Sequence, residues 1–343
     1  MIVGLDVGFG YTKRVTASGT DVFPSVVGEW RADGFRLGTG LNGADRPGGI
    51  DGVTVEGRSY AVGERALRLA HRRFIGLHRR WTDSAAFRVL ALAALARGLE
   101  RPGERVVLVT GLPVEDIEPY GATLRRQLEG EHEERLEPGG RAWRVTIGPV
   151  HVVPQPLGTV LAQLLDARGQ LAGREGLEGR VGVLDVGFRT TDYFTLDGLE
   201  VVPAHCLTRN TGLADLLLDL GLEVYRRWGV EVDPHALDEP VLRGALQIGG
   251  EAIALGPIVD PWLDRHAEAI AAHARMLWGD GARGLARLWV TGGGGALLGS
   301  RLQILAPHAE LVRHARLQNA MGYFRYGQRL HADPVVRPGR VPA

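Results

Sequence analysis

The sequence predicts an α/β protein built as two duplicated halves that face each other across a cleft, and three observations carry that prediction. The string LDVGF occurs twice, in VGLDVGFGYTK (Val3–Lys13) and VGVLDVGFRTTD (Val181–Asp192). Each copy is an apolar run that ends in Asp-x-Gly and turns into a second β-type run, and recurrence of a whole strand–turn–strand unit is what internal duplication leaves behind. The third observation is LARLWVTGGGG (Leu285–Gly295), a further apolar strand running straight into four glycines.

The elements follow in chain order. Residues 2–7 read as a buried strand, and 11–60 as short β-type runs broken by Gly, Pro and Asp, hence hairpins. Ala and Leu at helical spacing predict a buried helix over 83–99. RVVLVTGLP (Arg105–Pro113) is a core strand followed by a loop, 120–129 a helix and 143–153 a strand. A helix over 159–168 follows the turn PQPLG, and the Gly- and Glu-rich stretch 169–180 reads as a loop between halves. The pattern then restarts with strand–turn–strand over 181–196, helices over 212–227 and 259–278, and the strand leading to the glycines. A last helix over 317–330 precedes a Pro/Arg-rich tail expected to be loose. Domain I is expected to take residues 1–157, with 317–343 returning to it, and domain II residues 158–316.

Composition narrows the function. The 343 residues are 45% hydrophobic and 23% charged, an ordinary balance for a globular chain of about two domains. Formal net charge is zero, so no global field recruits nucleic acid or an anionic membrane. Its longest apolar stretches fall short of the roughly 20 residues of a spanning helix. MIVGLDVG enters a strand at once, leaving no room for a signal peptide or membrane anchor. The single cysteine, Cys206, forms no intrachain disulfide and fits a reducing cytoplasm. Of forty basic residues only Lys13 is a lysine, and it stands beside the first glycine turn. An ammonium is a compact charge suited to phosphate, whereas the guanidinium is a planar fork.

The turns themselves suggest chemistry. In DVGFGYTK, Gly8 and Gly10 let backbone N–H groups approach a ligand closely and form a nest for phosphate oxygens. Tyr11, Thr12 and Lys13 add two hydroxyls and a charge. Asp6 closes the strand as a carboxylate near Mg²⁺, through water because that ion keeps its waters. The second turn repeats the set with Asp185, Gly187, Arg189, Thr190 and Thr191. A lone Asp-x-Gly turn is an ordinary hairpin; two of them beside the one lysine read as a polyphosphate clamp. Gly292, Gly293, Gly294 and Gly295 cost backbone entropy, which a phosphate or planar group against bare backbone at a helix N-terminus explains.

The order DVGFGYTK, VVPQPLG, DVGFRTTD, VTGGGG and NAMGY resembles the five nucleotide motifs of the actin/Hsp70/sugar-kinase superfamily, and covers nearly the whole chain. Within it, the FPS segment, the form D-V-G-x-R-T-T-D and the ending LQNAMGY are similar to prokaryotic actin-like proteins, both archaeal-type actin homologues and the ParM plasmid-segregation group. The resemblance implies an actin-like (ribonuclease H-like) fold, with ATP or ADP and Mg²⁺ as cofactors. Asp6 and Asp185 would position Mg²⁺ and the attacking water, and Gln155 would orient that water. Lys13 would meet the terminal phosphates, and Gly187, Thr190 and Thr191 the γ-phosphate. Gly292–Gly295 would back adenine and ribose, with Gly212 and Asp215 on the nucleotide's other face. It further implies a cytoplasmic ATPase whose partner is itself, in a filament, with a DNA-bound adaptor as a second partner and no direct contact with nucleic acid or membrane.

Two other functions stay open on sequence: a small-molecule kinase of the same superfamily, with Asp185 as base, and a non-polymerising ATP-binding scaffold. Preference for ATP over GTP is not fixed by these motifs. GTGLNG (Gly38–Gly43) matches GxGxxG but is followed by ADRPGG and no helix, so it is not a dinucleotide fingerprint. HRRFIGLHRRW (His71–Trp81) reads as a solvated basic face, and the histidines show no metal-ligand spacing.

Overall fold

A computed structural model describes residues 1–30, 50–70, 73–75, 81–99, 101, 103–172, 178–306 and 308–331. The GTGLNG segment, most of the basic cluster and the tail from 332 lie outside these residues.

The first sheet has ten strands: β1 (Ile2–Val7), β2 (Tyr11–Thr16), β3 (Gly19–Pro24), β4 (Val26–Glu29), β5 (Gly52–Val55), β6 (Arg58–Val62), β7 (Arg73–Ile75), β8 (Glu104–Leu112), β9 (Gly130–Glu137) and β10 (Arg141–Pro154). They lie in the order β3-β2-β1-β8-β10-β9-β5-β6-β4-β7. The second sheet holds β11 (Arg180–Val186), β12 (Thr191–Asp197), β13 (Glu200–Val201), β14 (Leu207–Arg209), and beyond a separate hairpin, β15 (Ala245–Ile248) and β16 (Glu251–Ala254), the strands β17 (Arg287–Thr291) and β18 (Ala309–Leu311). Its main order is β13-β12-β11-β17-β18.

The duplication is visible in the pairing. β1 is antiparallel to β2 and parallel to β8, just as β11 is antiparallel to β12 and parallel to β17. Registers match as well: Asp6 stands opposite Lys13, and Asp185 opposite Asp192.

Helices cover both sheets: α1 (Glu64–Leu69), α2 (Ala85–Ala96), α3 (Ile117–Leu128), α4 (Gln155–Leu164), α5 (Ala214–Trp228), α6 (Pro234–Arg243), α7 (Gly256–Trp278), α8 (Gly292–Leu302) and α9 (Gln318–His331). Strand alternation decides which helix each face meets. Val3, Leu5 and Val7 join the core containing α2, whereas Gly4 turns toward α9, where a Cβ would lie 2.2 Å from Ala320 O. α2 is apolar nearly all round and accordingly buried, with the Ser84 hydroxyl accepting from Phe87 N at its start. On β11, Val181 and Val183 meet Val160 and Leu164 of α4. α4 and α9 pack against each other, and α9 also lies on β1, β2 and β8.

Several boundaries differ from expectation. α4 begins at Gln155, four residues earlier than predicted, because Pro156 sits in the first turn, where no intrahelical N–H is needed, and so does not break the helix. α3 likewise starts at Ile117 with Pro119 in its first turn. The four glycines form the first turn of α8, at the helix N-terminus that the sequence suggested. The helix α6 and the hairpin β15–β16 went unread, since Pro234 and Pro240 interrupt the helical pattern and each hairpin strand is only four residues long.

Candidate functional site

A cleft with about 650 Å³ of empty space is lined by both glycine turns, the start of α4, the glycine turn of α8 and the start of α9. At its centre, Asp6 accepts from Lys13 Nζ (2.9 Å) and from Gln155 Nε2 (3.1 Å). Asp185 accepts from Asn319 Nδ2 at 2.7 Å. Asn319 is held in turn by Thr159 of α4, whose Oγ1 donates to Asn319 Oδ1 (2.9 Å) and lies 3.2 Å from Thr291 Oγ1. Each carboxylate is thus fixed by an amide carried on one of the two paired helices, Gln155 on α4 and Asn319 on α9.

Burial shapes the charge here. Desolvation raises Asp185 to about 6; the Asn319 hydrogen bond and Lys13 oppose this, and Asp6 adds to it. Asp192 is raised to about 8 by desolvation, against the Thr208 hydrogen bond and with help from Asp185. The native chain therefore holds a proton on Asp192 that the unfolded chain releases above its ordinary value of 3.8. Stability through this group falls as pH rises from about 4 to about 8. Asn at this position has no proton to lose and keeps the Thr208 bond. The thermal-unfolding advantage of Asp192→Asn over wild type is expected to grow across that window and level off above it. A constant difference between pH 4 and 9 would contradict the assignment.

Of the sequence candidates, the cleft brings together Asp6, Gly8, Gly10, Tyr11, Lys13, Gln155, Asp185, Gly187, Thr190, Gly292, Gly293 and Gly294. Thr12 and Thr191 do not join them, because strand alternation points them away. Thr12 Oγ1 meets Ser25 Oγ at 2.9 Å, and Thr191 Oγ1 donates to Thr211 O at 2.8 Å. Arg189 lies 5.1 Å over the Phe9 ring and lines a neighbouring hollow with Asp116 and Arg209. Gly212 packs on the Arg189 backbone, which a Cβ would overlap at 2.3 Å. Gly295 is buried behind the turn against Val290, and Asp215 is on the solvent face of α5.

Sequence reasoning missed Phe9, Phe188, Asp192, Leu213, Asp238, Ala315, Arg316 and Asn319, all of which line the cleft. Four carried a signal. Phe9 and Phe188 are the shared final letter of LDVGF, Asp192 is the last residue of the second motif, and Asn319 belongs to NAMGY. Leu213, Asp238, Ala315 and Arg316 arrive through tertiary packing alone.

Residues 4–158 match the family profile of the actin-like protein N-terminal domain, and 183–304 that of the archaeal actin homologue MreB-like C-terminal domain. The chain belongs to the actin-like family. This actin-like protein is 28% identical over 339 residues to an archaeal actin homologue of Thermoplasma acidophilum, covering 94% of this chain and 97% of the relative. Its fold matches the crystal structure of the archaeal actin homologue Ta0583 in complex with ADP (TM-score 0.77, 21% identity, 96% and 99% of the two chains). It also matches a 15-stranded ParM filament from Clostridium botulinum (TM-score 0.78, 23% identity, 96% and 99% coverage). The mixed α/β architecture is the actin-like fold. Among the described residues no helix is long and apolar enough to cross a membrane.

Proposed function

We propose that this actin-like protein binds Mg-ATP in the cleft, hydrolyses it, and assembles with its own copies into filaments whose growth and decay follow the nucleotide. The observation that carries the reading is the symmetric pair Asp6/Gln155 and Asp185/Asn319, set at equivalent registers of two duplicated glycine turns. The ADP complex of Ta0583 supports a nucleotide ligand, and the ParM filament supports self-assembly. The same reading divides the chain into 1–157 with 317–343, and 158–316, closing on the ligand.

Charge argues for a divalent cation. Asp6, Asp185 and Asp238 line the cleft as carboxylates, beside the protonated Asp192, against only Lys13 and Arg316. A triphosphate entering such a site needs added positive charge. Asp6 and Asp185 would hold Mg²⁺ through water, and the ion would supply neutralisation of the phosphate oxygens. Lys13 Nζ and the N–H groups of the two turns bind the phosphates. Gln155, anchored through Nε2 on Asp6, positions a water at its carbonyl oxygen. That water attacks the γ-phosphorus as the bond to the β-phosphate oxygen breaks, and ADP and inorganic phosphate leave. Asp185 accepts the water's proton. The cellular role we assign is cytoskeletal or DNA-segregating, in the cytoplasm, through an adaptor.

The test mixes purified protein with Mg-ATP, Mg-ADP or no nucleotide and records light scattering beside phosphate release. Scattering that rises with ATP and decays as phosphate appears is the expected result. Phosphate release without scattering removes the filament, and ADP formed without free phosphate, only when a sugar or acid is added, points to a kinase.

A further inference from the structure

Hydrolysis explains the centre of the cleft; among the lining residues it leaves unused, Arg316 touches two others. Tyr11 belongs to the first glycine turn, Asp238 to α6, and Arg316 to the 3-10 turn Ala315–Leu317 that leads into α9. The Arg316 guanidinium lies over the Tyr11 ring, 4.7 Å from its centre. Its Nη2 donates to Asp238 Oδ2 at 2.7 Å and its Nη1 reaches Glu239 Oε1 at 3.4 Å. Asp238 is 3% exposed, so its ion pair with Arg316 forms with little solvent screening. The three residues form a triangle bridged by Arg316, which joins the hairpin of one half to a helix of the other.

A second contact ties α6 to the same hairpin. Phe188, from the second glycine turn, stacks on His235 at the start of α6, with ring centres 4.5 Å apart and planes at 25°. Its other side presses on Gly10, where a Cβ would lie 2.6 Å from the Phe188 Cβ. α6 is therefore fastened across the cleft through Arg316 and through Phe188. Arg316 also stands beside the glycine turn of α8, its Nε 3.7 Å from where a Cβ on Gly293 would be. The triangle thus borders the part of the cleft assigned above to the base and ribose.

We propose that Tyr11, Asp238 and Arg316 form a clasp across the cleft that sets the rate at which bound nucleoside diphosphate leaves. The inference rests on the nucleotide reading and adds the control of exchange to it. Separating α6 from the first hairpin either lifts Arg316 off the Tyr11 ring or pulls it from Asp238. A closed cleft therefore releases its ligand slowly, and a clasp lacking one member releases it faster. In a filament-forming protein that step decides how soon a dissociated subunit can be recharged.

The experiment loads the full-length protein with a fluorescent N-methylanthraniloyl ADP and chases it with excess unlabelled ADP. It compares wild type with Tyr11→Leu, Asp238→Asn, Arg316→Gln and the Asp238→Asn/Arg316→Gln double variant. Tyr11→Leu removes the ring beneath the guanidinium and leaves the ion pair untouched, so it tests the clasp even where an Asp238 variant folds poorly. Tyr11→Leu and Asp238→Asn are each expected to speed release by about tenfold, and the double variant no more than the faster single, because the contacts act as one unit. Release within twofold of wild type in both single variants overturns the clasp, as do effects that multiply in the double variant. Failure of the wild type to bind the fluorescent ADP overturns the nucleotide reading and the clasp with it, whereas normal binding with unchanged release overturns the clasp alone.

Discussion

Replacing Gln155 with alanine is expected to slow ATP hydrolysis by about 10²–10³-fold while nucleotide affinity changes only severalfold. The amide reaches Asp6 Oδ1 at 3.1 Å, yet Asp6 keeps its second tie to Lys13 at 2.9 Å, so the carboxylate and the phosphate-binding lysine stay in place when the amide is gone. What disappears is the group proposed to aim the water. Phosphate release under single-turnover conditions reads the chemical step, and titration with a fluorescent ATP analogue reads binding. If filaments form, they should also persist longer, because decay waits on hydrolysis. Phosphate release at the wild-type rate would remove Gln155 from the mechanism. Loss of binding in step with activity would make it a structural residue of the cleft. Asp185→Asn supplies the contrast: it preserves an acceptor for Asn319 Nδ2 but cannot take up a proton, so hydrolysis should fall without loss of the contact between α9 and the second sheet.

Much of this architecture was legible in the sequence because the duplication is written in residues that the chemistry cannot vary freely. Asp6 and Asp185 each stand near the end of a buried strand and line the cleft, and Gly8 and Gly187 mark the turns. The central strands, continuous apolar runs between turn residues, were equally plain. The rest was hidden for physical reasons. Thr12 and Thr191 look like their neighbours in a motif, but a strand turns alternate side chains to opposite faces, and only the register decides which face meets the cleft. Gly158 reads as punctuation, whereas it is small because another helix crosses it. Asp238 and Arg316 lie in no motif, and only the folding of α6 and the turn before α9 against the first hairpin brings them to the site.

Gly322→Ala is expected to destabilise the protein by about 3 kcal/mol or more, although alanine usually improves a helix by about 0.5–1 kcal/mol. A Cβ at this position would lie 1.7 Å from the Gly158 carbonyl oxygen and 3.0 Å from Ala162 N, both backbone atoms of α4 that cannot rotate away. From the other side, a Cβ on Gly158 would meet Asn319 Cα at 2.7 Å. The two helices therefore touch backbone to backbone at a glycine pair, and an added methyl group forces them apart. Chemical denaturation measures the loss, with Gly284→Ala as control: that exposed glycine has open space around its missing side chain and should shift stability by less than about 0.5 kcal/mol. Equal effects at the two positions would refute the crossing. The functional consequence follows from what each helix carries. α4 brings Gln155 to Asp6, and α9, one turn before Gly322, brings Asn319 to Asp185. Prising the helices apart loosens both amides at once, so the folded fraction of Gly322→Ala should hydrolyse ATP more slowly than wild type. A smaller defect there than in Gln155→Ala would mean that the helices can separate without moving the two carboxylates.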